Sequence, residues 1–269
     1  MNKGKFYFEL AKFVLSHPSQ GIDLIQSSID VWKDVKNKSH NYVETFSDLQ
    51  DTIDKLFPES IFSVNESKKN LNDLYAQIRK FFKTIEKEEY PSKKKPYPTI
   101  YNLDEESGLL LYAVCKILKP EVVVETGVAY GLGSTFILKA LHENKKGKLF
   151  SIDGIFRPWQ SKKMIGAAIP EPLRNKWSIS YGSSSKLLKQ VLDSHSSIDI
   201  FFHDSLHTYN NMIFEFKKAW PFIREGGLLL SDDVGSNDSF HDFCSEMKLD
   251  PILFSQKKSD NSYFGIIKK

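Results

Sequence analysis

From residue 98 onward, short apolar runs of strand length alternate with amphipathic stretches of helical length, and nothing else in the sequence restricts the fold so tightly. Val122-Val123-Val124 lies inside the first run, 121–125. Further strand-like runs follow at 148–153, 177–181, 198–203 and 227–231. Helical periodicity covers 104–118, ended by Pro120, then 134–141, 184–192 and 210–223, with a short helix at 242–247. Such alternation predicts an α/β fold, a mostly parallel sheet with helices on both faces. Two closing strands, 251–255 and 263–267, flank the polar turn 257–262 and predict an antiparallel hairpin at the end of that sheet.

Residues 1–98 have a different character. Apolar residues recur at helical spacing in three stripes: Phe6, Leu10, Phe13 and Val14; Ile22, Ile25, Ile29 and Trp32; Leu71, Leu74, Ile78, Phe81 and Phe82. Pro18 and Pro58 punctuate them. Three prolines and a run of lysines in 89–98 read as a linker. The chain therefore divides into a helical region, 1–98, and an α/β domain, 99–269. The helical region carries no chemical signature, and its stripes predict burial, either as a cap over a substrate or as a contact in a homodimer. Tyr97 and Tyr101 are candidates for a lid or for plain aromatic packing.

Composition excludes several classes. With 269 residues, 41% of them hydrophobic, and 20 Phe and 11 Tyr, the chain can bury a large core, so global disorder is excluded. The net charge is only +3, and the tight basic run is Lys93-Lys94-Lys95 between prolines. That argues against a nucleic-acid partner. Two cysteines, Cys115 and Cys244, cannot build a disulfide framework or a zinc site alone. Glu9 and Lys12 interrupt the apolar start 6–15, and no run approaches the ~18 apolar residues of a membrane span. A cytoplasmic protein with no membrane partner is the expectation.

Three places carry chemistry. The first is the turn 125–134, where a strand ends in Glu125-Thr126-Gly127 and a helix opens after Gly131 near Ser134. Glycines there allow close backbone approach, and a helix start offers unpaired N–H groups. Ligands bind beyond the carboxyl ends of strands in open α/β sheets. The spacing is not the G-x-G-x-x-G of a dinucleotide site, which weighs against a dehydrogenase, and Glu125 suits a cationic ligand group better than a pyrophosphate. The competing reading is a glycine-rich structural turn. The second place is Asp153, at the end of the second strand, where an acid can take both hydroxyls of a ribose. A turn-forming or capping Asp would look the same.

The third place is the most specific. The strand 198–203 ends in Asp204-Ser205-Leu206-His207-Thr208-Tyr209, and the next ends in Asp232-Asp233. On adjacent strands, Asp204, Asp232 and Asp233 would converge and repel one another unless something positive sat between them. A hard divalent cation, Mg²⁺ or Mn²⁺ (or Ca²⁺), suits such oxygen ligands. The bland alternative has Asp204 and Asp233 as caps and Asp232 in an ion pair. His207 is a candidate general base near neutral pH, or a surface histidine. Tyr209 lines a pocket or simply packs. His203 stays unassigned.

These residues together resemble the class I S-adenosylmethionine-dependent methyltransferases. The likeness rests on Glu125-x-Gly127-x-x-x-Gly131-x-x-Ser134, Asp153, Asp204-x-x-His207-x-Tyr209 and Asp232-Asp233 after Gly226-Gly227. The nearest pattern is the subgroup with Asp-x-x-His-x-Tyr, which includes sugar and macrolide O-methyltransferases. The resemblance covers about 100–269. It implies a Rossmann-like seven-stranded sheet with an antiparallel last strand. It also implies S-adenosylmethionine as cofactor, with the Gly127 loop on its methionine part, Asp153 on its ribose and Gly182-Ser183 beside its adenine. In metal-dependent relatives the matching Asp and acidic pair bind Mg²⁺, which also holds the substrate oxygens. This chain has His207 where those relatives carry Lys.

The expected activity is methyl transfer to a small-molecule hydroxylated acceptor such as a sugar, with His207 or Asp204 as proton acceptor and divalent-cation assistance. A metal-independent transferase using Asp204 and His207 as an acid/base pair is one alternative. A catalytically silent module that binds cofactor or a partner protein is another. The segment 154–174, with Trp159, Met164, Pro170 and the cations Arg157, Lys162 and Lys163, is the candidate acceptor loop.

Overall fold

The computed structural model describes residues 3–42, 48–99, 103–256 and 262–269, so Tyr101 and most of the turn 257–262 lie outside the described residues. Five helices come first: α1 (Lys3–Ser16), α2 (Pro18–Asn37), α3 (Leu49–Leu56), α4 (Val64–Asn70) and α5 (Asn72–Glu86). Then follow α6 (Glu105–Leu118), β1 (Val122–Thr126), α7 (Leu132–Asn144), β2 (Lys148–Asp153), β3 (Trp177–Tyr181), α8 (Ser184–Asp193) and β4 (Ile198–His203). The chain closes with α9 (Tyr209–Ala219), β5 (Ile223–Ser231), α10 (Ser239–Met247), β6 (Ile252–Ser255) and β7 (Tyr263–Lys268).

The seven strands form one sheet in the order β3-β2-β1-β4-β5-β7-β6. β1 to β5 pair in parallel, and β7 runs antiparallel to both β5 and β6. Both the alternation and the terminal hairpin expected from the sequence are present. The order reverses between β1 and β4, which makes the carboxyl ends of those two strands the natural ligand crevice.

Strand parity divides the core. Phe202 joins the cluster under α6 and α7, whereas Phe201 joins the one under α8, α9 and α10. Each ring is fully buried and contributes about 1.5–3 kcal/mol. Asp104 caps α6, its Oδ1 accepting the Ser107 N–H at 2.7 Å, so the helix begins where the sequence predicts.

The boundary near residue 98 is less sharp than the sequence suggests. Leu49, Ile53, Leu71, Leu74 and Ile78 of α3–α5 belong to the same apolar cluster as α6 and α7. The segment 89–98 is also docked. Tyr97 stands edge-on to Tyr130 at 5.1 Å, and the Tyr130 hydroxyl donates to the Tyr97 carbonyl at 3.0 Å. A proline- and lysine-rich run therefore packs because its tyrosine supplies apolar area.

Candidate active site

Backbone register brings the site together. Thr126 of β1 pairs with His203 of β4, and His203 with Ser231 of β5. The next residues, Gly127, Asp204 and Asp232, therefore emerge side by side at the carboxyl edge. The ladder runs one step further: the Asp204 N–H donates to the Thr126 carbonyl and the Asp232 N–H to the His203 carbonyl, each at 2.9 Å. On the other side the Gly127 N–H donates to Ile152 O and the Gly182 N–H to Asp153 O. Gly127, Asp153, Gly182, Asp204 and Asp232 thus share one rim.

The glycine turn is shaped by its own protein neighbours. Gly127 has φ +81° and Gly131 φ +88°, values that favour glycine. A Cβ on Gly127 would overlap the Asp204 carbonyl, and one on Gly131 would press on Gly166 and Ile169. The Gly166 and Ala168 N–H groups donate to the carbonyls of Ala129 and Tyr130, folding the 154–174 segment over the turn.

Asp153 is partly exposed beside this turn. Its Oδ2 accepts the Val128 and Ala129 N–H groups at 3.0 and 2.8 Å, and its Oδ1 that of Gly154 at 2.6 Å. Burial raises its pKa, against the lowering effect of these backbone donors. An ionised carboxylate offers about four acceptor positions, so these three bonds leave one on Oδ1. Ser183 stands at the start of α8 next to Gly182 without a side-chain capping bond, and its hydroxyl lies 3.0 Å from that of Ser185.

Glu125 and Ser134 sit beneath the turn, at 1% and 0% exposure. Glu125 Oε2 accepts the Ser134 hydroxyl at 2.7 Å and the Ser151 hydroxyl at 2.6 Å. Burial pushes its carboxyl up to about 7. The sequence expectation that Glu125 faces a cationic ligand group therefore gives way to an internal support. β1 is central, with strands on both sides, so its side chains enter the core.

Asp204, His207 and Asp232 come together at this edge. One ligand atom from each lies within 4.8 Å of the others. His207 Nε2 is 3.9 Å from Asp204 Oδ1, and both side chains are partly exposed. Asp232 is buried and oriented by Gln256, whose Nε2 donates to its Oδ1 at 2.6 Å.

The sequence reading gave Asp204, Asp232 and Asp233 as the cation set with His207 as the general base; in the structure His207, rather than Asp233, gathers with Asp204 and Asp232. Asp233 adopts a left-handed backbone (φ 49°), turning away from the strand direction, and its Oδ1 lies 2.8 Å from the Ser262 hydroxyl. Tyr209 also turns elsewhere: its hydroxyl donates to Asp242 at 2.9 Å.

Sequence reasoning missed the carboxylate under the cluster. Glu215 of α9 is fully buried. Its Oε2 accepts from Thr126 Oγ1 and lies 2.7 Å from His203 Nδ1, while its Oε1 accepts from Ser205 and Asn211. Burial alone would raise its pKa; the His203 charge and the bonds from His203, Ser184 and Thr126 outweigh that and hold it below the usual range. The signal was available. Glu215 falls between Met212 and Phe216 on the buried face of α9, where an acid is out of place without partners.

The topology defines the class: a class I methyltransferase fold, with its crevice at the β1/β4 reversal. Residues 124–234 match a family described as a methyltransferase domain, a span that includes Gly127, Asp153, Asp204, His207 and Asp232. No curated protein is matched in sequence. Among solved structures, an O-methyltransferase from Bacillus cereus in complex with SAH is 13% identical, with TM-score 0.58. The match covers 82% of this chain and all of that one. The O-methyltransferase TomG from Streptomyces achromogenes, involved in tomaymycin synthesis and bound to SAM, is 14% identical (TM-score 0.53; 90% and 96% covered). SAH-bound Podospora anserina methyltransferase PaMTH1 is 12% identical (TM-score 0.52; 85% and 99% covered). At these identities the likeness is one of fold.

Proposed function

We propose that this chain is an S-adenosylmethionine-dependent O-methyltransferase that acts on a small hydroxylated acceptor, such as a sugar, with divalent-cation assistance. The observation that carries the reading is the convergence of Asp204, His207 and Asp232 beside the glycine turn, within the residues that match a methyltransferase domain.

The donor set fits a cation. Divalent ions hold their ligands at about 2.0–2.6 Å, so donors around one ion lie up to about 4–5 Å apart. Asp204 and Asp232 each offer an oxygen within 4.8 Å of the other, which meets that, and two neighbouring carboxylates favour positive charge between them. The rim also fits the cofactor: Asp153 keeps an acceptor position for a ribose hydroxyl, and Gly182 and Ser183 border it on the β3 side.

When bound, S-adenosylmethionine supplies an electrophilic methyl group on a sulfonium, and a divalent cation supplies positive charge that favours ionisation of an acceptor hydroxyl. The protein's part is placement and proton transfer. Asp153 and the turn fix the nucleoside. Asp204 and Asp232 hold the acceptor end. The hydroxyl proton passes to His207, which stands beside the two carboxylates and stays off the cation as the base. Holding both reactants in line supplies several of the ~7–11 kcal/mol available from orientation.

The 3.9 Å spacing of His207 and Asp204 favours one further reading, a metal-independent transferase using that pair as acid and base. The experiment is transfer of labelled methyl from S-adenosylmethionine to a panel of sugars and small phenols, with and without EDTA. Loss of transfer on chelation, restored by Mg²⁺ or Mn²⁺, supports cation assistance. Transfer indifferent to EDTA supports the acid/base pair, and no transfer to any hydroxylated acceptor would count against the activity itself.

A further inference from the structure

α2 is mounted with its polar side inward. Asp34 Oδ2 accepts the Tyr209 N–H at 2.8 Å, and Asp30 Oδ1 accepts from Asn210 Nδ2 at 3.2 Å. Just beyond the helix, Lys38 Nζ donates to the Gly235 carbonyl, and Ser39 and His40 donate to Asp238. These bonds to α9 and the start of α10 fix the rotation of α2 about its axis. The opposite face is apolar and open: Ile22 is 67% exposed, Ile25 61%, Ile29 43% and Trp32 65%. The stripe that the sequence marks for burial is thus held outward by specific polar contacts.

Its spacing of three, four and three residues is the a/d pattern of a helix seam. On α1, the helix packed beside α2, Phe8 and Leu15 are exposed as well. Its flanks identify the partner. Exposed positions beside the seam are Ser19, Gln26, Ser28, Lys33 and Val35, with one charge among them. When two copies of α2 run antiparallel, Ile22 layers with Trp32 and Ile25 with Ile29. The flanking pairs become Gln26 with Gln26, Ser28 with Ser28, and Ser19 with Lys33, so no like charges meet. α2 is ~30 Å long. The exposed Phe8 and Leu15 of α1 add apolar surface toward the ~800 Å² per partner of a standard interface.

We infer that a second copy of this chain covers this face, as a two-fold symmetric dimer whose α2 helices pair antiparallel along Ile22, Ile25, Ile29 and Trp32. Such an interface is isologous and closes on itself. It stands independently of the catalytic reading.

Sedimentation of the full chain tests it, together with Ile25→Glu/Ile29→Glu and Ser28→Cys variants. Ser28 is exposed and both native cysteines are buried, so the new thiol is the accessible one. The wild type should sediment as a dimer. The double Glu variant should be a monomer, at least ten-fold weaker in association, with the circular dichroism of the wild type and a melting temperature that no longer rises with protein concentration. Ser28→Cys should cross-link to a covalent dimer under mild oxidation. A monomeric wild type at tens of micromolar, whether or not it binds phospholipid vesicles, would overturn the inference. So would a dimer that survives both glutamates, or one in which Ser28→Cys fails to cross-link.

Discussion

Gly127 and Asp204 lock together the two loops that the β1/β4 reversal opens: a Cβ on Gly127 would overlap the Asp204 carbonyl. The same aspartate sends its N–H to Thr126 O and its carboxylate toward His207 and Asp232. The glycine turn and the cluster of Asp204, His207 and Asp232 are therefore packed as one unit. Gly127→Ala forces a strained φ and a backbone clash at once, and should cost at least about 2 kcal/mol. A lower urea midpoint with an unchanged slope would show it, accompanied by loss of transfer. A wild-type midpoint would mean the loops are free to separate.

Asp232 and Asp233 are neighbours in sequence with different surroundings. Asp232→Asn and Asp204→Ala should lower kcat by at least about 100-fold, beyond the range of outer-shell changes, while leaving S-adenosylhomocysteine binding intact. Asp233→Asn keeps its contact with Ser262 and should stay within a few-fold of wild type. Equal losses at 232 and 233 would restore Asp233 to the cluster.

Glu125 sets one pH response. Its folded pKa is raised to about 7 from an ordinary 4.5, so the folded protein holds a proton there that the unfolded chain releases. The resulting stability is present below pH 4.5 and is lost as pH rises through 7, by an amount on the order of 3 kcal/mol. Glu125→Gln should therefore flatten the thermal stability profile between pH 4.5 and 7 and be more stable than wild type at pH 8. A parallel pair of profiles would contradict the buried carboxyl.

Glu215 sets the opposite response. Its folded pKa is lowered, so its contribution is complete above the ordinary value and fades as pH falls through the folded value. Glu215→Ala strands the hydrogen bonds of Thr126, His203, Ser205 and Asn211, and should cost about 3–5 kcal/mol at pH 7. The penalty should shrink in acid. Chemical denaturation at pH 7 and pH 4 measures both.

Much of this was legible from residue types because the sheet obeys two simple periodicities. The runs at 122–126 and 198–203 are buried strands because both faces are covered, and Gly127 and Asp204 follow strand ends where loops begin. What the sequence hid depended on a backbone detail or a distant partner. Nothing local distinguishes Asp232 from Asp233; the left-handed turn at 233 and Gln256 decide it. Glu125 looked like a ligand contact until Ser134 and Ser151 closed around it. The Ile22–Trp32 stripe has the periodicity of a buried face, and Asp30 and Asp34 reverse its direction.

The central claim is a nucleoside sulfonium site on the β1–β2–β3 rim, anchored by Asp153. Titration calorimetry with S-adenosylhomocysteine tests it without knowledge of the acceptor. The wild type should bind one molecule per chain. Asp153→Ala should bind about 10–100-fold more weakly, the value of one hydrogen bond to a charged group, and Asp232→Ala should bind as the wild type does. A wild type that takes up none, or an Asp153→Ala variant that binds equally well, would contradict the account.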